Sequence, residues 1–142
     1  MEQSFNIDQQ LAKDTFYITE LELSIILLMN NALFPWIILI PKRNYVTELI
    51  DLSTTDQQLL MHEIIYTSKL LKHFFSPDKI NVATLGNVVA QLHIHIIARF
   101  KNDAAWPKPV WNTYNEPYTT LTSTRLTEKI KQYINLHKIE YI

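Results

Sequence analysis

The chain has no cysteine and a single glycine, Gly86, among its 142 residues. Without thiols there can be no disulfide framework, thiolate nucleophile, iron–sulfur cluster or cysteine zinc site, and such a composition suits a reducing compartment. Average usage of about 7% would supply roughly ten glycines. With one, no glycine-rich phosphate loop and no G-x-S-x-G nucleophile elbow can exist. Turns fall instead to Asn, Asp and Pro, which tolerate or preset the required dihedrals. Charge of one sign is also lacking: 13 basic against 14 acidic residues give a net charge of −1. There is thus no bulk polycation to hold nucleic acid by counterion release. The longest apolar run, from Leu33 to Ile40, is interrupted by Pro35 and falls far short of the roughly 20 residues needed to span a bilayer. Met1 to Asp14 mixes acids and glutamines with scattered apolar residues, unlike a signal peptide. The expectation is a soluble, cytoplasmic protein with neither a nucleic-acid nor a membrane partner.

What is present is a globular composition, 47% hydrophobic and 19% charged, in a length that suits one domain over residues 1–142. Asn6 to Lys13 can form a short helix. Thr15 to Ile18, Glu22 to Met29 and Trp36 to Ile40 read as strands, with Asn30 and Asn31 as a glycine-free turn, and pair as an antiparallel meander. Asp56 to Phe75 carries Leu59, Leu60, Ile64, Leu71 and Phe75 at helical spacing, with Ser53, Thr54 and Asp56 as candidate caps. Ile80 to Thr84 and Gln91 to Arg99 are further strands. Trp106, Pro107, Pro109 and Trp111 suggest an extended segment. A last amphipathic helix runs from Thr124 to His137, with Leu126, Ile130, Tyr133 and Ile134 inward. The pattern is α+β: an antiparallel sheet of about five strands, one long helix packed on it, and a C-terminal helix.

The chemistry concentrates in Gln91-Leu92-His93-Ile94-His95-Ile96-Ile97-Ala98-Arg99. Side chains alternate faces along a strand, so Gln91, His93 and His95 project together and Leu92, Ile94 and Ile96 oppositely. A regular strand adds Arg99 to the polar face. Gly86, seven residues before His93, suggests a close backbone approach or a positive φ angle. Three readings of the imidazole pair compete. They can be exposed strand residues with no chemistry. They can be two ligands of a metal, although no Glu, Asp or Cys follows within the next seven residues and His62, His73 and His137 fall on the helices. Or one can be a nucleophile toward an acyl or phosphoryl group.

This stretch resembles the active-site strand of the histidine triad (HIT) nucleotide hydrolases and transferases, His-φ-His-φ-His-φ-φ with φ apolar, with Gln91 in the first histidine's place. Asn81-Val82-Ala83-Thr84-Leu85-Gly86-Asn87 is similar to that family's preceding strand and phosphate-side loop. Phe34-Pro35-Trp36 through Pro41-Lys42 is similar to its strand ending in Pro-Lys, and Trp106-Pro107 to the Trp-Pro element of one branch. The resemblance covers about residues 15–111, leaving 112–142 as a C-terminal extension with its helix. It is nearest to a bacterial branch described as diadenosine tetraphosphate hydrolase-like, in which Gln at the first position is usual.

The resemblance implies that His93 attacks a nucleotide α-phosphorus to give a nucleotidyl-imidazole that water hydrolyses. The nucleophilic nitrogen must be unprotonated, so its ring partner should donate to a nearby carbonyl. His95 is implied to supply a proton or positive charge at the phosphate or leaving group, and Gln91 to orient its neighbours. Asn81, Gly86 and Asn87 are implied on the phosphate side, Asn30 or Asn31 on the ribose, Leu28 on the base, and Arg99 and Trp106 as further nucleotide contacts. Asn30 and Asn31 also read as an ordinary turn, and Trp106 and Trp111 as staples of the tail. No cofactor or metal is implied; the implied partners are a small nucleotide substrate and a second copy of the chain in a homodimer.

Overall fold

The structure, a computed structural model, describes residues 4–141. Helix α1 (Gln9–Asp14) opens on Asp8, whose carboxylate accepts from the Gln10 N–H. It leads into β1 (Thr15–Glu20), β2 (Ser24–Met29) and β3 (Trp36–Pro41). These three pair as an antiparallel meander, with a register shift between Tyr17 and Thr19. The Asn30–Asn31 corner closes without glycine because the Asn31 side-chain oxygen accepts from the Leu33 N–H, an Asx turn.

A 3₁₀ turn (Leu49–Asp51) precedes the long helix α2 (Thr54–Phe75). Ser53 caps α2 by accepting from the Asp56 N–H, and Ser76 ends it in the left-handed region. Then come β4 (Lys79–Ala83), β5 (Ile94–Arg99) and α3 (Thr120–Leu136), the last capped by Thr119. The five-stranded sheet has the order β1-β2-β3-β5-β4, antiparallel throughout. The fold is α+β, as expected.

Both faces of the sheet are covered, which is why β2 and β3 read as nearly unbroken apolar runs. One face, with Ile26, Leu28, Ile37, Leu39, Ile94 and Ile96, packs against α2 and α3 through Leu60, Leu70, Leu71, Ile130 and Ile134. Each fully buried leucine there contributes about 1.5–3 kcal/mol. The opposite face, with Ile25, Leu27, Trp36, Ile38 and Ile97, is covered by α1 through Leu11 and by the irregular chain after β5 through Ala105 and Val110.

Several expectations are corrected. The histidine strand begins at Ile94, not at Gln91, because β4 has ended at Ala83, opposite His95, and offers no ladder beyond it. Residues 91–93 are held instead by single bonds such as Leu92 N–H to the Val46 carbonyl, 3.0 Å. The C-terminal helix starts at Thr120 rather than Thr124, because Thr119 supplies the cap. The Trp106–Trp111 segment is a run of tight turns rather than extended chain, with Lys108 N–H bonded to the Ala105 carbonyl. Left-handed backbone falls on Tyr45, Ser76 and Asn112, of which only the asparagine belongs to the anticipated turn formers. Among the described residues, no helix is long and apolar enough to cross a membrane.

Candidate active site

His93 and His95 do share one side of the chain, their ring centroids 4.8 Å apart. Leu92 and Ile94 point into the helix-side core, so the alternation persists across the end of the strand. Both imidazoles are almost wholly buried, and both border a cavity of about 420 Å³ whose other walls include Leu85, Asn87, Leu11 and Asp14. His93 also borders a second, smaller cavity of about 250 Å³ with Thr47, Glu48, Thr84 and Gly86.

Hydrogen bonds fix both tautomers. The His93 Nδ1 lies 2.6 Å from the Gln91 carbonyl oxygen. A carbonyl only accepts, so Nδ1 carries the hydrogen and Nε2 keeps its lone pair. No hydrogen-bond partner meets that Nε2 among the described residues. His95 is arranged the other way round. The Trp36 indole N–H donates to its Nδ1 at 3.1 Å, so Nε2 bears the hydrogen and donates to the Leu85 carbonyl, 3.2 Å away.

Burial, then the neighbouring His93, pushes the His95 pKa down to about 4, against a smaller opposing pull from the Leu85 carbonyl. His95 is therefore a neutral hydrogen-bond donor near pH 7, and the cationic role anticipated for it is removed. Its ring is further boxed by Trp36 and Trp111, at centroid distances of 5.6 and 5.0 Å.

Gln91 does not turn toward the phosphate side. Its side-chain oxygen accepts from the Asp8 N–H and its amide donates to the Asn6 carbonyl, both at 2.9 Å. It is the Gln91 backbone, not its side chain, that orients His93. The side chain ties down the chain leading into α1, whose Gln10, Leu11 and Asp14 wall the histidine cavity.

Gly86 has no positive φ; close approach explains it. A Cβ there would sit 2.8 Å from the Val89 carbonyl oxygen and 3.7 Å from Cε1 of His93. Asn87 lies beside it and borders both histidine cavities.

The remaining anticipated contacts divide. Asn30 and Asn31 line a third cavity of about 500 Å³ that adjoins the histidine cavity through Asp14, Met29, Trp111 and Asn112. Their side chains already hold the C-terminal segment: Asn30 accepts from Tyr118 N–H, and Asn31 donates to the Tyr114 carbonyl. Leu28 is a correction, since it faces α2 in the core on the side of the sheet away from the imidazoles.

Arg99 does share the His95 face, yet it is 1% exposed. Its guanidinium is consumed by Asp103, by Asn81 Oδ1 and by the Lys108 carbonyl. Arg99 and Asn81 thus leave the nucleotide-contact set and become the anchor of the chain crossing the open face. Trp106 packs against that guanidinium, 5.7 Å from its carbon, and borders a cavity beside Leu85 and Trp111. His62, His73 and His137 belong to α2 and the end of α3. Among the described residues, no group of three or more His, Asp or Glu could hold a metal ion.

Sequence reasoning missed Trp36, the Leu85 carbonyl, Asp8, Asp14 and Asp103, and took Trp111 only for a staple. Trp36 carried a usable signal, since it opens the strand that pairs with the histidine strand and stands opposite Ile97. The others depend on contacts across long stretches of sequence.

Comparison with known proteins agrees with this geometry. The HIT domain family matches residues 10–102. A histidine triad protein from Bradyrhizobium japonicum is 38% identical, with 92% of this chain and 98% of that one covered and a TM-score of 0.88. One from Marinobacter aquaeolei is 36% identical over 94% and 98%, with a TM-score of 0.87. Another, from Sinorhizobium meliloti, is 36% identical over 90% and 96%, also with a TM-score of 0.87. Among curated proteins, none matches the chain. With its paired imidazoles, its sheet order and these relatives, the chain belongs to the HIT domain family.

Proposed function

We propose that this protein is a nucleotide hydrolase or nucleotidyl transferase working through a covalent nucleotidyl-histidine on His93. One observation carries the reading: the Gln91 carbonyl fixes the His93 hydrogen on Nδ1, so the free lone pair is on Nε2 of a ring that borders two cavities. A neutral imidazole in that tautomer is a competent nucleophile.

In the first step the Nε2 lone pair forms an N–P bond to the α-phosphorus. The bond from phosphorus to the leaving group breaks, its electron pair departs with that group, and the group takes a proton from water. In the second step water adds to phosphorus and gives up a proton to solvent, the P–N bond breaks, and its electron pair returns to Nε2 as the imidazole lone pair. The nucleoside 5′-phosphate is released, or an acceptor other than water receives it. His95, neutral and bearing its hydrogen on Nε2, offers a hydrogen bond at this end of the cavity, and the backbone around Gly86 and Asn87 offers N–H groups to phosphate oxygens.

The test is AMP release from adenosine phosphoramidate or a dinucleoside polyphosphate, together with intact-mass detection of a nucleotidyl adduct. Wild type is expected to turn over and His93→Ala to lose at least about a thousandfold, as removal of a covalent nucleophile does. Turnover retained in that variant would sink the mechanism. Binding of AMP with no turnover and no adduct would favour a non-catalytic nucleotide-binding module, the reading to which the neutral Gln91 lends weight. The homodimer belongs to the same proposal, and light scattering tests it.

A further inference from the structure

A cavity of about 730 Å³ lies behind the wall that holds His95. Leu85, Trp111 and Asn112 border both this outer cavity and the histidine cavity. The Leu85 carbonyl accepts from His95 Nε2, and the Trp111 ring packs 5.0 Å from the imidazole. Neither His93 nor His95 lines the outer cavity. It is a compartment of its own, backed onto two residues that hold His95 in place.

Trp106, Trp111 and Tyr114 give the cavity three aromatic rings, and Tyr114 is 62% exposed. Among the described residues that line it, Lys108 alone carries charge, and none is a carboxylate. The Lys108 main chain is committed to the fold: its carbonyl accepts from Arg99 and its N–H donates to the Ala105 carbonyl. Its ammonium makes no hydrogen bond or ion pair among the described residues. An ammonium beside aromatic rings fits a flat ring that carries negative charge, since the rings pack together and the cation pairs with the anion. None of the lining residues belongs to a helix, so no helix N-terminus adds to the positive field. One lysine therefore matches a single negative charge, as on a carboxylate, rather than the several of a polyphosphate. The volume falls within the roughly 300–1,000 Å³ of small-molecule sites and suits a bicyclic ring.

We infer that this cavity is a second ligand site, taking a bicyclic aromatic carboxylate, and that its occupant lowers turnover through Leu85 and Trp111. The effect on turnover rests on the nucleotide reading above; the binding does not. His95 serves the phosphate or leaving group with the same Nε2 hydrogen that the Leu85 carbonyl holds. An occupant packed behind Leu85 and Trp111 keeps both against the imidazole, so it slows the chemical step. It leaves the cavity walls at Asp14, Asn87 and His93 untouched, so nucleotide affinity changes little.

The experiment is an NMR titration with indole-3-acetate and with tryptamine, which has the same ring and the opposite charge. Indole-3-acetate should shift the backbone signals of Trp106, Trp111 and Tyr114. It should bind about tenfold more tightly than tryptamine, the worth of a charge-assisted hydrogen bond. Lys108→Glu keeps the main-chain bonds to Arg99 and Ala105 and should reverse that order. No binding of either probe, equal binding of both, or a preference that Lys108→Glu leaves unchanged overturns the site. So does displacement of indole-3-acetate by saturating AMP, because the cavity is then part of the nucleotide cleft. With adenosine phosphoramidate as substrate, saturating indole-3-acetate should lower kcat about fivefold, the lower end of usual coupling between sites. KM should stay nearly constant, and Lys108→Glu should abolish the effect. An unchanged kcat overturns the action on turnover. Should wild type release no AMP at all, the hydrolase reading falls and takes the action on turnover with it, while the two-probe titration decides the ligand site.

Discussion

The Trp36 indole donates to Nδ1 of His95 across the β3–β5 pair, 3.1 Å from nitrogen to nitrogen. Indole can only donate, so the bond exists only while that imidazole nitrogen is unprotonated. A residue of the meander thereby sets the tautomer of a residue at the site.

This relationship has a consequence for stability. The folded pKa of His95 is pushed down to about 4 from an ordinary 6.5, chiefly by burial. Between those values the unfolded chain binds a proton that the folded chain refuses, so stability rises with pH across that window. The contribution is fully present above about 6.5 and lost below about 4, and its size is about 3 kcal/mol. Urea unfolding measured between pH 4.5 and 7 should therefore show a steeper pH dependence in wild type than in His95→Gln. In Trp36→Phe, NMR titration should find the His95 pKa raised.

Gln91 should act on affinity rather than on chemistry. Its side chain bonds the backbone at Asn6 and Asp8, not the imidazoles. Gln91→Ala leaves the Gln91 carbonyl to hold His93 but frees the lead into α1. We expect KM for the nucleotide to rise about tenfold, the worth of one or two hydrogen bonds, with kcat changed much less. Faster amide exchange at Asp8 should accompany it. A fall in kcat at constant KM would mean that the side chain acts on the reacting phosphate after all.

Arg99 and Asp103 form a buried ion pair, their side chains 2% and 3% exposed. Burial pushes the Asp103 carboxyl up, but Arg99 and the N–H groups of Phe100, Trp106 and Ala105 outweigh it and hold the pKa at about 2. Arg99→Ala strands a buried carboxylate and should cost about 3–5 kcal/mol of stability, read from the urea midpoint. The aspartate's own contribution persists above its ordinary pKa of 3.8 and fades as pH falls toward 2.

Gly86→Ala tests close approach at the site. The added methyl would meet the Val89 carbonyl at 2.8 Å, forcing the 86–89 loop away at a cost of about 1–3 kcal/mol. Because that loop borders both histidine cavities, turnover should fall even at temperatures where circular dichroism shows the variant fully folded.

Much of this protein was written in local pattern. Alternation placed Leu92 and Ile94 on one side and His93 and His95 on the other, because a pleated chain allows nothing else. Helical spacing of Leu60, Ile64 and Leu71 located α2, and Ser53, among the candidate caps, set its start; the Thr119 cap of α3 was not read. The need for a carbonyl at His93 was foreseeable from imidazole chemistry, though not which carbonyl.

What tertiary structure decided is where each polar group spends its hydrogen bonds. Gln91 could face a phosphate or a backbone, and the arrival of residues 6–8 from far along the chain settled it. Arg99 lies on the expected face, yet Asp103 and Asn81 close around it and bury it. His95 was free to be cationic until burial beside His93 disfavoured the charge and the Trp36 N–H took its Nδ1. Periodicity fixes direction; partners brought together across tens of residues fix charge, and no local pattern encodes them.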